Sequence, residues 1–174
     1  MPTSTRATEA IAQIEADRSR VLGMRIGSKD VQLDQYIPAS DAQLPPQLSP
    51  QLTTTPSLLS PTKTYLAISL DLDAPYPFLK FLSPVLHWIQ PGLRVSRDES
   101  GAAVLKADAP FVANYMSPEP PLASGRHRYV FLLYEQPDGF EARKYAPPHG
   151  RLMGVWARVR FGFDEWAREV GLGE

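Results

Sequence analysis

The sequence predicts a mostly β fold with helices at its periphery, on three observations. Short apolar runs with strand character occupy the middle of the chain. Helical patterning is confined to stretches towards the two ends. Proline is the third: 18 of 174 residues are Pro, about twice the usual ~5%. Proline inside a helix removes a hydrogen bond and clashes with the preceding turn, so such a chain is poor in long helices and rich in turns. The length suits one domain over residues 1–174.

Taken in order, residues 4–22 read as a helix. Ala7, Ala10, Ile11 and Ile14 recur at helical spacing, with Glu9, Glu15, Asp17 and Arg18 on other faces. The stripe is thin, which suits a surface helix, and Gly23 and Gly27 follow as stop signals. Residues 38–61 hold six prolines among Ser, Thr and Gln and read as a surface loop. The runs 65–70, 85–89 and 129–134 read as strands, the second stopped by Pro91-Gly92. The third is apolar on both faces, which predicts a central strand. Asp164 suits the N-cap of a helix over 165–170, and Gly171 its C-terminal stop.

Composition excludes several functions. Lys and Arg number 18 against 19 Asp and Glu, a net charge of −1, which argues against general nucleic-acid binding. There are no cysteines, so disulfides, thiol catalysis and zinc-thiolate sites are out. No apolar run reaches the ~18 residues of a membrane span. The polar N-terminus lacks a signal-peptide core, so a cytoplasmic location is expected. No Gly-x-Ser-x-Gly elbow and no Gly-rich phosphate loop is present, and no cofactor is expected. Two His and two Asp can ligate a metal in principle, but three His and no Cys do not make a dedicated site.

Polar residues interrupt the predicted core at a few places. Asp71 and Asp73 stand two apart at a strand end, which places both on one face or simply marks a turn. His87 sits mid-strand on the face of Val85 and Ile89, either as a satisfied core histidine or as a site residue. His127 and Tyr129 share a face at a strand entrance, while Arg128 points away. Together these residues are the inventory of a small polar pocket. A carboxylate beside an imidazole stabilises the imidazolium, and a cationic His with a Tyr hydroxyl can hold a phosphate or carboxylate. Ser117-Pro118-Glu119-Pro120-Pro121 gives a stiff segment suited to a rim. His149 lies in an evident loop and reads as surface.

These residues resemble the phosphatidylethanolamine-binding protein family. Asp71-Leu72-Asp73-Ala74-Pro75 is similar to its Asp-Pro-Asp-Ala-Pro signature. Leu86-His87-Trp88-Ile89 is similar to its His-containing strand. Tyr115 to Pro121, followed by the stretch from Gly125 to Gln136, is similar to its second signature. The resemblance covers roughly 62–172, more weakly 20–60, and is nearest to fungal members. It implies a large central β-sheet packed on a smaller one, with peripheral helices. It also implies a shallow anion pocket lined by Asp71, Asp73, His87, Pro121, His127 and Tyr129. In the family that pocket takes phosphate, carboxylate or phospholipid head groups, and members regulate signalling partners. Three departures stand out. Leu72 replaces a Pro, and Glu119 stands at a usual Gly, adding a rim carboxylate. The chain also stops at Gly171-Leu172-Gly173-Glu174 where members continue, so a shortened chain or a more open site is expected.

Two functions follow as expectations. One is a binding protein with a small anionic or carboxylate ligand. The other is a cofactor-independent enzyme of fungal specialised metabolism, which cyclises, isomerises or dimerises a polyketide-derived substrate such as an anhydride. In that reading His87 or His127 is the general acid or base, and Asp71 and Asp73 orient the imidazoles. Tyr129 donates to an oxyanion, and Glu119 transfers a proton if its pKa is raised. A scaffold role for the Pro-rich 38–61 surface has no recognisable motif behind it.

Overall fold

The computed structural model describes residues 4–50 and 59–173. Helix α1 runs Thr5–Ala16, and its start is capped from two places. The Ser4 hydroxyl oxygen accepts the Ala7 amide at 3.2 Å and donates to Asp164 at 2.6 Å. Asp164 also accepts the amides of Thr5 at 2.7 Å and Arg6 at 3.3 Å. Burial alone raises the Asp164 pKa, but these hydrogen bonds outweigh it and hold the carboxyl below its ordinary 3.8. The sequence reading assigned Asp164 as N-cap of its own helix. Instead helix α2 spans Phe163–Val170 behind Gly162, and Asp164 reaches across to cap α1. Gly171, at φ 75°, ends α2 as expected. Asp164→Ala is expected to cost about 1–2 kcal/mol, the scale of a lost N-cap. A urea melt showing less than about 0.5 kcal/mol would remove Asp164 from this role.

Helix α1 ends well before residue 22. Asp17 turns to extended backbone at φ −140°, and its carboxylate accepts the Ser19 amide at 2.9 Å. That local bond competes with the helix and starts a 3-10 turn over Arg18–Arg20. A small antiparallel sheet follows, in the order β2-β1-β3. Its strands are β1 (Gly23–Ile26), β2 (Lys29–Val31) and β3 (Gln47–Ser49). Gly23 therefore opens a strand, and Gly27, at φ 58°, turns the hairpin. Strand β3 lies inside the stretch expected to be loop, because Leu48 is buried opposite Met24. Residues 51–58 of that stretch lie outside the described residues.

The large sheet is antiparallel in the order β6-β5-β4-β7. It comprises β4 (Tyr65–Asp71), β5 (Val85–Arg97), β6 (Ala103–Ala107) and β7 (Tyr129–Glu135). One face packs Leu66, Ile68, Leu70, Leu86 and Ile89 against Ala7 of α1 and Phe163 and Ala167 of α2. The other packs Tyr65, Ala67, Trp88 and Leu93 against Leu48 of the small sheet. The expected large sheet on a smaller sheet, with peripheral helices, is thus observed as three layers.

Two strand expectations are corrected. Strand β5 does not stop at Pro91-Gly92 but runs on to Arg97. A register shift between Tyr65 and Ala67 absorbs the pair. Gly92 takes φ 73° there, and a side chain on it would meet Ala109 at 2.6 Å. Strand β7 is an edge of the sheet rather than its centre. Both its faces are apolar because helices cover one and the small sheet the other. The centre belongs to β4, all of whose residues are buried.

Candidate functional site

One end of the large sheet gathers most of the predicted site residues. Asp71 ends β4, His87 stands near the start of β5, and His127 and Tyr129 enter β7, with Asp71 opposite Tyr129 in register. Asp71 does two things at once. One oxygen accepts the Asp73 amide at 2.8 Å, the turn that the sequence spacing allowed. The other accepts Nδ1–H of His127 at 2.8 Å, in a pair that is almost wholly buried. With Nδ1 fixed in that way, Nε2 of His127 is buried and has no partner. Ser69 Oγ, two residues before Asp71 on β4, is likewise buried without a partner.

A β-bulge aims His87. The β4–β5 register passes from Ser69↔Trp88 to Leu70↔Leu86, so His87 is the extra residue. Strict alternation placed His87 with Ile89, but Ile89 packs into the helix-side core. His87 stands instead against Tyr129, edge to face at 5.1 Å between ring centroids. Its Nδ1 donates to the Met116 carbonyl at 2.7 Å, and the Met116 amide returns a bond to the His87 carbonyl at 2.8 Å. Burial lowers the His87 pKa, and the Arg158 charge adds to this against the Met116 bond and Asp71, which raise it. This ring is therefore neutral at pH 7, and its Nε2 is an acceptor. The rings of His127 and Tyr129 lie near-parallel at 6.4 Å. Burial, and then the Asp71 carboxylate, raise the Tyr129 pKa, so its hydroxyl keeps its proton.

Asp73 does not face the same space as Asp71. Its carboxylate accepts the Arg128 amide, Nε and Nη2, each at 2.8 Å, and pairs with Lys80 at 2.6 Å. Burial raises its pKa, but Arg128 and Lys80 outweigh that and hold it well below the usual carboxylate range. Asp73 thus positions the backbone between His127 and Tyr129 from behind. A cleft of about 1680 Å³ opens in front of the site, with Ser69, His87, His127, Tyr129, Pro118 and Pro120 in its lining. Pro121 and Glu119 are outside that lining and exposed. In an extended segment, residues two apart face the same way, so 118 and 120 turn inward while 119 and 121 turn out. Glu119 reaches only the Ser117 hydroxyl, at 3.5 Å. His149 is exposed, as its loop position suggests.

Sequence reasoning missed Arg158, which is 1% exposed and holds the floor of the site together. Its guanidinium donates to the carbonyls of Met153, Leu86, His87 and Asn114 and to the Asn114 side chain, over 2.7–3.3 Å. Burial lowers its pKa. Nothing in the run Val155-Trp156-Ala157-Arg158 marks this arginine as internal. Ser69 did carry a signal, as the one polar residue within the apolar run 65–70.

The family model described as Phosphatidylethanolamine-binding protein matches residues 27–171. The chain belongs to the phosphatidylethanolamine-binding protein family. Among family relatives, the Saccharomyces cerevisiae protein YLR179C is 30% identical over 150 residues, 84% of this chain and 73% of that protein. Phomoidride biosynthesis cluster protein N of Talaromyces stipitatus is 29% identical over 153 residues, 83% of this chain and 73% of that protein. The carboxypeptidase Y inhibitor of Saccharomyces cerevisiae is 43% identical over 58 residues, 33% of this chain and only 26% of the inhibitor's length. The crystal structure of a carboxypeptidase Y inhibitor complexed with its cognate proteinase shares the fold. Its TM-score is 0.67 at 24% identity, over 96% of this chain and 88% of that one. Among the described residues, no helix is long and apolar enough to cross a membrane.

Proposed function

We propose that this family member binds a small anion, a phosphate or carboxylate group, at the inner end of the cleft. The observation that carries the reading is the pair of buried, unpartnered polar atoms, Ser69 Oγ and His127 Nε2, in the cleft lining. Buried polar groups are nearly always hydrogen-bonded, so two orphans in the wall of one cleft mark a place for a ligand atom. With Nδ1–H held by Asp71, Nε2 is the ring atom of His127 left to meet a ligand, and in the imidazolium form it is a donor. Tyr129 brings a protonated hydroxyl to the same wall.

Inorganic phosphate and succinate are the probes, followed by NMR at the His127 ring and by calorimetry. Ser69→Ala and His127→Gln are each expected to weaken binding by about 10- to 100-fold, the scale of a lost charge-assisted hydrogen bond. His127 and Ser69 signals unmoved by tens of millimolar of either probe, on the order of the weakest useful affinities, would end this reading. A second reading is supported by His87, a neutral imidazole with a bare Nε2 beside Tyr129, which is the state of a general base. Its similarity to a phomoidride biosynthesis cluster protein makes polyketide-derived acids and anhydrides the substrates to assay in that case.

A further inference from the structure

We propose that the free edge of β7 takes one extended apolar peptide segment as an added antiparallel strand, in the same cleft but independently of the anion site. Main-chain parity decides which groups of β7 face outward. The Leu72 amide donates to the Arg128 carbonyl at 3.0 Å, and the Gln136 amide donates to the Thr64 carbonyl at 2.8 Å. In an antiparallel ladder these bonded pairs alternate. Val130, Leu132 and Tyr134 therefore turn their amides and carbonyls to β4, in the register Leu70, Ile68 and Leu66. Tyr129, Phe131, Leu133 and Glu135 turn theirs outward. Those outward groups have no main-chain partner among the described residues.

Exposed edges are normally defended by lysine, proline, a bulge or very short length. Strand β7 has none of these over 130–134, where every residue is apolar or aromatic. All seven of its residues line the cleft. Helix α1, with Arg6, Ala10 and Ile14, lines the cleft too and packs on the sheet face of Val130 and Leu132. Val31, Tyr36 and Ile37 line it from the small-sheet side. The edge thus lies between two walls of one cleft, in which an extended segment can lie along it. Donors and acceptors repeating every second residue are matched in full only by another extended main chain. Side-chain pockets then select alternate apolar residues. Charge sets one end. Arg126, with its guanidinium 4.8 Å over the Tyr36 ring, has no ion pair among the described residues. Glu135, at the far end, is already paired with Lys63 at 2.6 Å. An antiparallel segment therefore carries an acidic residue at its C-terminal end, beside Arg126.

The test uses amide hydrogen exchange by NMR on the whole chain, with the peptide acetyl-Lys-Val-Thr-Val-Thr-Val-Glu-amide as probe and its reversed sequence as control. In the free protein, the amides of Tyr129, Phe131, Leu133 and Glu135 should exchange at least about tenfold faster than those of Val130, Leu132 and Tyr134. The peptide should slow the fast set about tenfold, and the reversed peptide should do so less. Leu133→Pro removes only an outward amide and should abolish the effect. Leu133→Glu, which leaves the backbone intact, serves the same purpose if the proline variant does not fold. Unchanged exchange at millimolar peptide overturns the proposal. So does protection of the fast set in the free protein, whether as a monomer or, by sedimentation, as a dimer whose second copy is the occupant. Phosphate binding is read on the same samples through His127, so failure at the edge and failure at the anion site are distinguishable.

Discussion

Arg158→Met is expected to cost about 3–4 kcal/mol of stability, the largest effect of any single substitution considered for this protein. The side chain is buried, and its positive charge forms no ion pair among the described residues. Its solvation is replaced wholly by oxygen acceptors from three chain segments, around Met153, Leu86–His87 and Asn114. Methionine removes the cost of burying a charge, which offsets part of the loss. It also strips the Met153 and Asn114 carbonyls of the partner that satisfies them, and an orphaned buried acceptor costs about 1–3 kcal/mol. Lysine is no substitute. Its ammonium is a point donor and cannot span acceptors that a planar fork reaches in several directions, so Arg158→Lys should lose about 2 kcal/mol. Urea melts with phosphate titration in parallel make the test. The Arg158 bond to the His87 carbonyl also supports the His87–Met116 clamp, so both variants should weaken phosphate binding as well. A methionine variant within about 1 kcal/mol of the parent would show that the three segments hold together without this residue.

What was legible in the sequence divides along physical lines. The buried run at 65–70 is a strand because its apolar character is continuous but for Ser69, as a strand covered on both faces requires, and β4 is that strand. The family signatures located a cluster, since Asp71, His87, His127 and Tyr129 converge from three strands onto one sheet end. The failures arise where one residue's role depends on a distant partner. Asp164 caps a helix some 160 positions away, so its local N-cap pattern misled. The bulge at His87 depends on pairing with β4, and periodicity within β5 alone cannot show it. Strand β7 is apolar on both faces for the same reason a central strand is, namely cover from two layers. Only the pairing of its main chain distinguishes edge from centre. Pro121 and Glu119 were placed by family position, and the alternation of an extended segment turned them outward.

Asp73→Asn should show the second large effect, and its pH dependence identifies the cause. Four donors converge on this carboxylate: the Arg128 amide, two guanidinium nitrogens of Arg128, and the Lys80 ammonium. An asparagine must turn an amide NH2 towards some of them, which leaves a buried mismatch. Removing one partner of a fully buried ion pair costs about 3–5 kcal/mol. Here the side chains of Arg128 and Lys80 remain 60% and 36% exposed, so water screens them and about 2–3 kcal/mol is expected at pH 7. The folded-state pKa of Asp73 lies well below its ordinary 3.8. The unfolded chain therefore binds the proton first, and the stabilisation is complete above about pH 5 and lost as pH falls through 3.8 and below. The stability gap between parent and variant should accordingly be flat from pH 8 to about pH 5 and close in stronger acid. His87 has a depressed pKa too, which erodes stability from about its ordinary 6.5 downward. It does so in both proteins and cancels in the difference. Because the Arg128 amide lies between His127 and Tyr129, the variant should also bind phosphate more weakly while the His127–Asp71 pair persists. A gap that stays constant down to about pH 3 would show that Asp73 contributes through packing rather than through its charge.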